Sequence, residues 1–201
     1  MKTYTITNAD LDSDHYYKGN ADFDGNVIIA TNLGYVRFKN NLTAKGNIIA
    51  ESGSGIVACY SIKAGGSIKA GDSIKAGNGI KAGDSIKAGD SIKAGGSIKA
   101  GYGIEAGWGI VAGWGIEAGW GIVAGWGIEA GEGIKVGEGY KIFAGTSVYL
   151  KNVDKTIKCA ELLGGEVAYG ELVIVKKEQP TPSCAGKVVE IDGKKYKLVE
   201  A

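Results

Sequence analysis

The chain has 201 residues, with 23 Lys+Arg against 22 Asp+Glu, a net charge of +1 and three Cys. That length suits one domain, and the even charge balance argues against bulk electrostatic affinity for nucleic acid or an anionic membrane. Gly is abundant at 35 residues but recurs at a fixed period, which signals architecture rather than disorder. No apolar run approaches the roughly eighteen residues of a membrane span. The start, Met1-Lys2-Thr3-Tyr4-Thr5-Ile6-Thr7, lacks a signal-peptide core, so the expected location is the cytoplasm, or the host cytoplasm for a viral protein. Cys59, Cys159 and Cys184 form no CxxC pair and read as reduced thiols.

Residues 1–25 read as a polar, irregular segment leading into a cap for the first coil. Asp10, Asp12 and Asp14 alternate like the start of a calcium loop. Such a loop wants Gly at its sixth place and Glu at its twelfth, where this chain has His15 and Ala21. No metal site is expected. From Val27 the pattern is strand-like but ragged, and from Val36 to Leu42 to Ile48 the spacing is already six. Two extra residues within Glu51-Ser52-Gly53-Ser54-Gly55 then break the register, which predicts a bulged corner near Ser52. Phe38 and Leu42, read at Ala places, predict wider early coils.

The stretch 61–139 organises the rest. It repeats a six-residue word without insertion, from Ser61-Ile62-Lys63-Ala64-Gly65-Gly66 to Gly133-Ile134-Lys135-Val136-Gly137-Glu138. Ile and Ala stand two apart, so on a strand they share one face and the middle residue takes the other. Gly, a variable residue and Ser or Gly make a corner, where Gly is expected to supply positive φ. Three such words close a triangular coil of about eighteen residues, and coils stack at about 4.8 Å. A helix is excluded, because spacings of two and four do not line one face of a 3.6-residue period. Collagen is excluded because Gly is not at every third place.

The word Ile-Lys-Ala-Gly resembles that of the hexapeptide-repeat left-handed β-helix family, with the large and small core residues exchanged. The resemblance covers about half the chain. It implies an all-β, single-stranded parallel β-helix, and strict six-residue spacing favours the left-handed hand. Right-handed polymer-forming solenoids of the bactofilin kind carry similar words. The solenoid is expected over 26–175, with bulkier residues after Glu138 forming a terminal cap. There Tyr140 is read at an Ile place and Ile142 at an Ala place, and Val148, Leu150 and Val153 continue the pattern. Residues 176–186, with Pro180 and Pro182, read as a linker. Residues 187–201 spell a β-hairpin around Asp192-Gly193, which should dock on the solenoid, on a partner or on another copy.

The resemblance implies comparison with the family's enzymes, which are mostly acyltransferases with a His base in a loop between coils. This chain has one His, His15, outside the regular coils, and its repeat carries no looped insertion. No Ser/His/Asp set, P-loop or dinucleotide fingerprint is present, so a non-enzymatic protein without cofactor or small-molecule substrate is expected. An ice-binding ladder is excluded, because the outward strand positions hold Lys, Glu and Val.

Folding the repeat at eighteen residues per coil assigns the surface. The outward columns are Lys63, Lys81, Lys99, Glu117, Lys135; then Lys69, Lys87, Glu105, Val123, Lys141; then Lys75, Lys93, Val111, Glu129. The corner columns are Asp72, Asp90, Trp108, Trp126; then Gly66, Asp84, Tyr102, Trp120, Glu138; then Asn78, Gly96, Trp114, Glu132. All four Trp thus stand at outward corners within about one and a half coils, with Val111 and Val123 flanking the Trp108 and Trp126 edge. Exposed Trp and Val in one patch mark an interaction site, whereas Trp lying flat over the Gly-rich corners would mark only a cover. Glu105, Glu117 and Glu129 are expected as a polar rim favouring a basic partner surface.

The leading expectation is a scaffold that binds a protein partner or itself through this aromatic belt. Its size and style suit a phage-type accessory protein or an inhibitor of a host defence factor. An end-to-end polymer of the bactofilin kind, an acyltransferase relative and a carbohydrate reader are the alternatives.

Overall fold

The computed structural model describes residues 1–147, 152–175, 188–191 and 194–197. Three parallel sheets of nine, eight and eight strands run the length of a triangular solenoid. Each word contributes one strand, and successive words visit the three sheets in turn. Face I contains Ile68–Ala70, Ile86–Ala88, Ile104–Ala106 and Ile122–Ala124. Face II contains Ile74–Ala76, Ile92–Ala94, Ile110–Ala112 and Ile128–Ala130. Face III contains Ile62–Ala64, Ile80–Ala82, Ile98–Ala100 and Ile116–Ala118.

The register follows from the period. Ile stacks on Ile and Ala on Ala, as in Ile74↔Ile92 and Ala76↔Ala94. The repeat's Ile are at most 1% exposed, so each coil supplies three fully buried branched side chains to a continuous core. Backbone bonds tie each coil to both neighbours, as where Ile74 N–H donates to Ser91 O and Gly77 N–H to Ala58 O, each at 3.0 Å. A single coil could satisfy neither the core nor these bonds, so stability comes from stacking.

The glycine after each Ala is required for a reason other than the one expected. None of the repeat's glycines from Gly65 to Gly137 has positive φ; on either side, Gly34, Gly53 and Gly139 do. A Cβ at Gly89 would instead stand 1.9 Å from the carbonyl oxygen of Gly71 in the coil below, and one at Gly107 equally close to that of Gly89. The corner glycines stack backbone on backbone, and a methyl group does not fit between them.

The bulged corner lies where expected. Asn32 and Gly53 both have positive φ, and Asn32 N–H donates to Ser52 O. Ser54 fills the turn, its buried hydroxyl donating to Ala30 O and accepting from Leu33 N–H. Three register assignments need correction. Leu42 pairs with Ile62 and so holds an Ile place; Phe38, paired with Ala58, is the large residue at an Ala place. Ile142 pairs with Ile122 and Ala144 with Ala124, so Tyr140 lies outside the strand and Phe143, not Lys141, continues the column of Val123. Two residues inserted before Lys141–Ala144 cause the shift, because a chain of strict words would have put position 140 opposite Ile122.

The two ends of the stack differ. Residues 1–25, expected as irregular, contribute the strand Lys2–Ile6, which pairs with Gly25–Ile29 on face I. Between them the chain doubles back: Leu11 bridges Tyr17 antiparallel, and Tyr16 bridges Arg37. Ile6, Leu11 and Phe23 are buried there, and the rings of Tyr4, Tyr17, Phe23 and Phe38 lie 5.3–5.8 Å apart in successive contacts. At the other end the last strands are Glu161–Gly164, Glu166–Tyr169 and Glu171–Ile174. Leu172 pairs with Ile157 and Ile174 with Cys159, both inward places, yet they are 39% and 44% exposed. Val188–Ile191 and Lys194–Lys197 pair antiparallel as the expected hairpin. Val148, Leu150, Cys184, the 176–186 linker and Asp192-Gly193 lie outside the described residues.

Candidate aromatic interaction face

The corners between faces carry the aromatic residues, and their columns are those the period predicts. On the edge between faces I and II, Asp72, Asp90, Trp108 and Trp126 follow one another, each N–H bonded to the residue below. The indoles of Trp108 and Trp126 stack at 5.6 Å and 6°. On the edge between faces III and I, Trp120 stacks on Tyr102 at 4.5 Å and on Tyr140 at 6.0 Å. Tyr140, rather than Glu138, therefore extends that column of rings. Trp114 stands by itself on the third edge, between Gly96 and Glu132.

This arrangement divides the belt. Face I is the only face bordered by a ring stack on both edges among the described residues, with Trp108 and Trp126 on one side and Tyr102, Trp120 and Tyr140 on the other. Its outward column between them runs Glu105, Val123, Phe143. Beside it, a shallow groove is lined by Lys87, Glu105, Trp120 and Val123. Val111 lies on face II, across the Trp108 edge, and Trp114 on the far edge belongs to neither border. A constant period carried through the insertion puts Tyr140 at an inward Ile place and Phe143 at no outward one. Aligning Ile142 with Ile122 would have found both.

Trp108, Trp114 and Trp120 are 50%, 60% and 48% exposed. Trp126 differs, being half-buried, with the backbone N–H of Gly145 bonded to its carbonyl oxygen. Its indole Nε1 is buried without a hydrogen-bond partner among the described residues.

The acidic rim is occupied. Lys87 Nζ lies 2.8 Å from Glu105, and Glu117 lies 3.1 Å from Lys99 and 3.9 Å from Lys135. Cross-coil pairing thus engages Glu105 and Glu117 within the chain; of the three rim residues, Glu129 is the one exposed without an ion pair among the described residues.

The remaining polar candidates serve the fold. The Asp10 carboxylate accepts from Thr7 N–H and hydroxyl, and these bonds hold it below the usual carboxylate range. Asp12 accepts from the N–H groups of Tyr16 and Asp14 and is lowered for the same reason. His15, at positive φ, contacts Leu33 O through Nδ1 at 3.0 Å. Cys59 occupies an exposed corner, while burial pushes the Cys159 thiol up. No group of three metal-ligating side chains occurs among the described residues, and no helix there is long and apolar enough to cross a membrane. Comparison with protein-family models, with curated proteins and with solved structures finds no match to this chain.

Proposed function

We propose that this chain is a non-enzymatic scaffold, a relative of the hexapeptide-repeat β-helices without their catalytic loop, that binds a protein partner through face I. The observation that carries the reading is positional. Neighbouring coils make the same corners with Asp72, Asp84 and Asp90, so corner geometry does not call for Trp. Two ring stacks nevertheless border one face, and Val123 and Phe143 fill the space between them. A buried aromatic ring removes about 150–250 Å² from water, and such anchors dominate binding energies. The half that is still exposed here is available to a partner. A rigid scaffold of this size suits a phage-encoded accessory protein that occupies a host factor.

The test is Trp108→Asp with Trp120→Asp, which restores the residue that the same edges carry at 90 and 84. Circular dichroism should show the solenoid intact. Quantitative affinity capture from the native host should lose its specific protein at least tenfold, while Trp114→Asp, off the face, should retain it. Equal recovery by all three proteins would refute the reading.

A further inference from the structure

Among the described residues, the last coil, 161–175, is an uncovered core. Leu162 and Val167 pair with the buried Ile134 and Ile142, and Leu172 with Ile157, so all three hold inward places. None of them is buried, and Leu163, Tyr169 and Val175 add 55%, 42% and 54% exposed apolar surface around them. The coil below keeps its equivalents at 0%. Stacked coils stabilise one another only while each is covered, and terminal repeats of solenoids need a different outer face. The opposite end meets that need with its antiparallel turn and the Tyr4, Tyr17, Phe23, Phe38 cluster.

We propose that the hairpin Val188–Ile191/Lys194–Lys197 of the same molecule seats on this open coil, as a cap in cis. Three observations favour this occupant. First, the last residue described in the solenoid belongs to the open coil: Val175, next after the final strand of face II, donates its N–H to Cys159 O. The twelve residues 176–187 then precede the hairpin. Fully extended they reach about 40 Å, whereas a coil side of six residues is at most about 20 Å.

Second, the hairpin's register gathers three of its four apolar residues on one face. Val189 pairs with Tyr196 and Ile191 with Lys194, while Val188 pairs with Lys197 and Glu190 with Lys195. By the period of two, positions 189, 191, 194 and 196 share one face of the ladder, so Val189, Ile191 and Tyr196 fall together beside Lys194, and positions 188, 190, 195 and 197 share the other, with Glu190, Lys195 and Lys197 beside Val188. A two-stranded hairpin is marginal in water unless such a face is covered.

Third, the area is wrong for a second copy. A triangle with sides of about 20 Å encloses on the order of 200 Å², against about 800 Å² per partner in a stable complex. Within one chain the same contact is helped by an effective concentration in the millimolar range.

The experiment compares the full chain with Ile191→Asp/Tyr196→Asp and with Glu190→Lys, the latter changed on the other face. Hydrogen exchange is read at the amides of 161–174, and mass by sedimentation. In cis capping, the double variant exchanges at least tenfold faster there, Glu190→Lys does not, and the parent is a monomer. The exchange of 74–112 stays unchanged in all three, which separates uncapping from general unfolding. Equal protection of 161–174 in parent and double variant overturns the proposal. So does a parent dimer that the double variant converts to monomer, since the occupant would then come from a second copy. Neither variant changes a ring that borders face I, so failure of this proposal and failure of the binding reading are distinguishable.

Discussion

Coils built from residues 61–100 and those built from 102–138 share one interior and differ in their exterior. Ile stacks on Ile, Ala on Ala and corner Gly on corner Gly across the boundary, as in Ile92↔Ile110 and Ala94↔Ala112. Outside, the first group shows Lys at every strand and Gly, Asp or Asn at the corners. The second shows Glu or Val on most strands and rings at most corners. Because the interior is constant, the exterior change was not needed for folding. It does alter how neighbouring coils feel each other's charge.

The largest effects should ignore the boundary. Gly89→Ala and Gly107→Ala each place a methyl 1.9 Å from a carbonyl oxygen of the coil below, where only backbone could move. Each should cost at least about 3 kcal/mol or abolish folding, in either region alike. Ile92→Ala and Ile110→Ala should each cost about 2–5 kcal/mol and agree with each other within about 1 kcal/mol, because their cavities are lined alike. Ala94→Leu should cost about 1–3 kcal/mol by overpacking, and Lys93→Gln almost nothing. Denaturant melts that separate the two regions at these positions would show that the interior is not equivalent.

These positions also show what was legible in the sequence. Ile92, Lys93 and Ala94 declare inside, outside and inside by spacing alone, and the Trp columns follow from counting eighteen. The role of Gly89 was not legible, since a repeated Gly suits a positive φ and a close stack equally well, and only the distance to Gly71 O decides. Phe143 was missed because an insertion resets the count, and the partners of Glu105 and Glu117 because a column shows register rather than side-chain reach. The N-terminal plug was hidden for a different reason: its antiparallel return joins Leu11 to Tyr17 through a turn with no period.

Intermediate effects should appear at the rings. Trp120 stacks between Tyr102 and Tyr140, and aromatic pairs contribute about 0.5–1.5 kcal/mol beyond burial. Trp120→Asp should therefore lower stability by about 1 kcal/mol, whereas Trp114→Asp, which has no ring neighbour among the described residues, should lower it by less. Equal losses would mean that the stack contributes nothing to the fold. A loss above about 3 kcal/mol at Trp120 would turn the face I rings into structural residues and weaken the case for binding.

The smallest effect concerns the charges, and it should differ in sign between the regions. Lys81 lies opposite Lys63 on one side and Lys99 on the other, so three ammonium groups share one column at the strand spacing of about 4.8 Å. Like charges directly opposite in a ladder are destabilising by about 0.2–1 kcal/mol a pair. One coil further along, Glu117 sits between Lys99 and Lys135 and contacts both. Lys81→Glu copies that arrangement into the lysine region, exchanging two repulsions for two attractions. These side chains are about half exposed in the Glu117 case, so the gain stays modest, about 0.5–1 kcal/mol, or about 1–4 °C in Tm. Added salt should raise the parent's Tm by screening the lysine columns and should shrink the variant's advantage, since the Debye length falls to about 3 Å at 1 M. Glu117→Lys should do the reverse, losing a similar amount at low salt and regaining it at high salt. A Lys81→Glu protein that melts below the parent at low salt, or keeps its full advantage at 1 M salt, would show that the columns do not interact as their register places them.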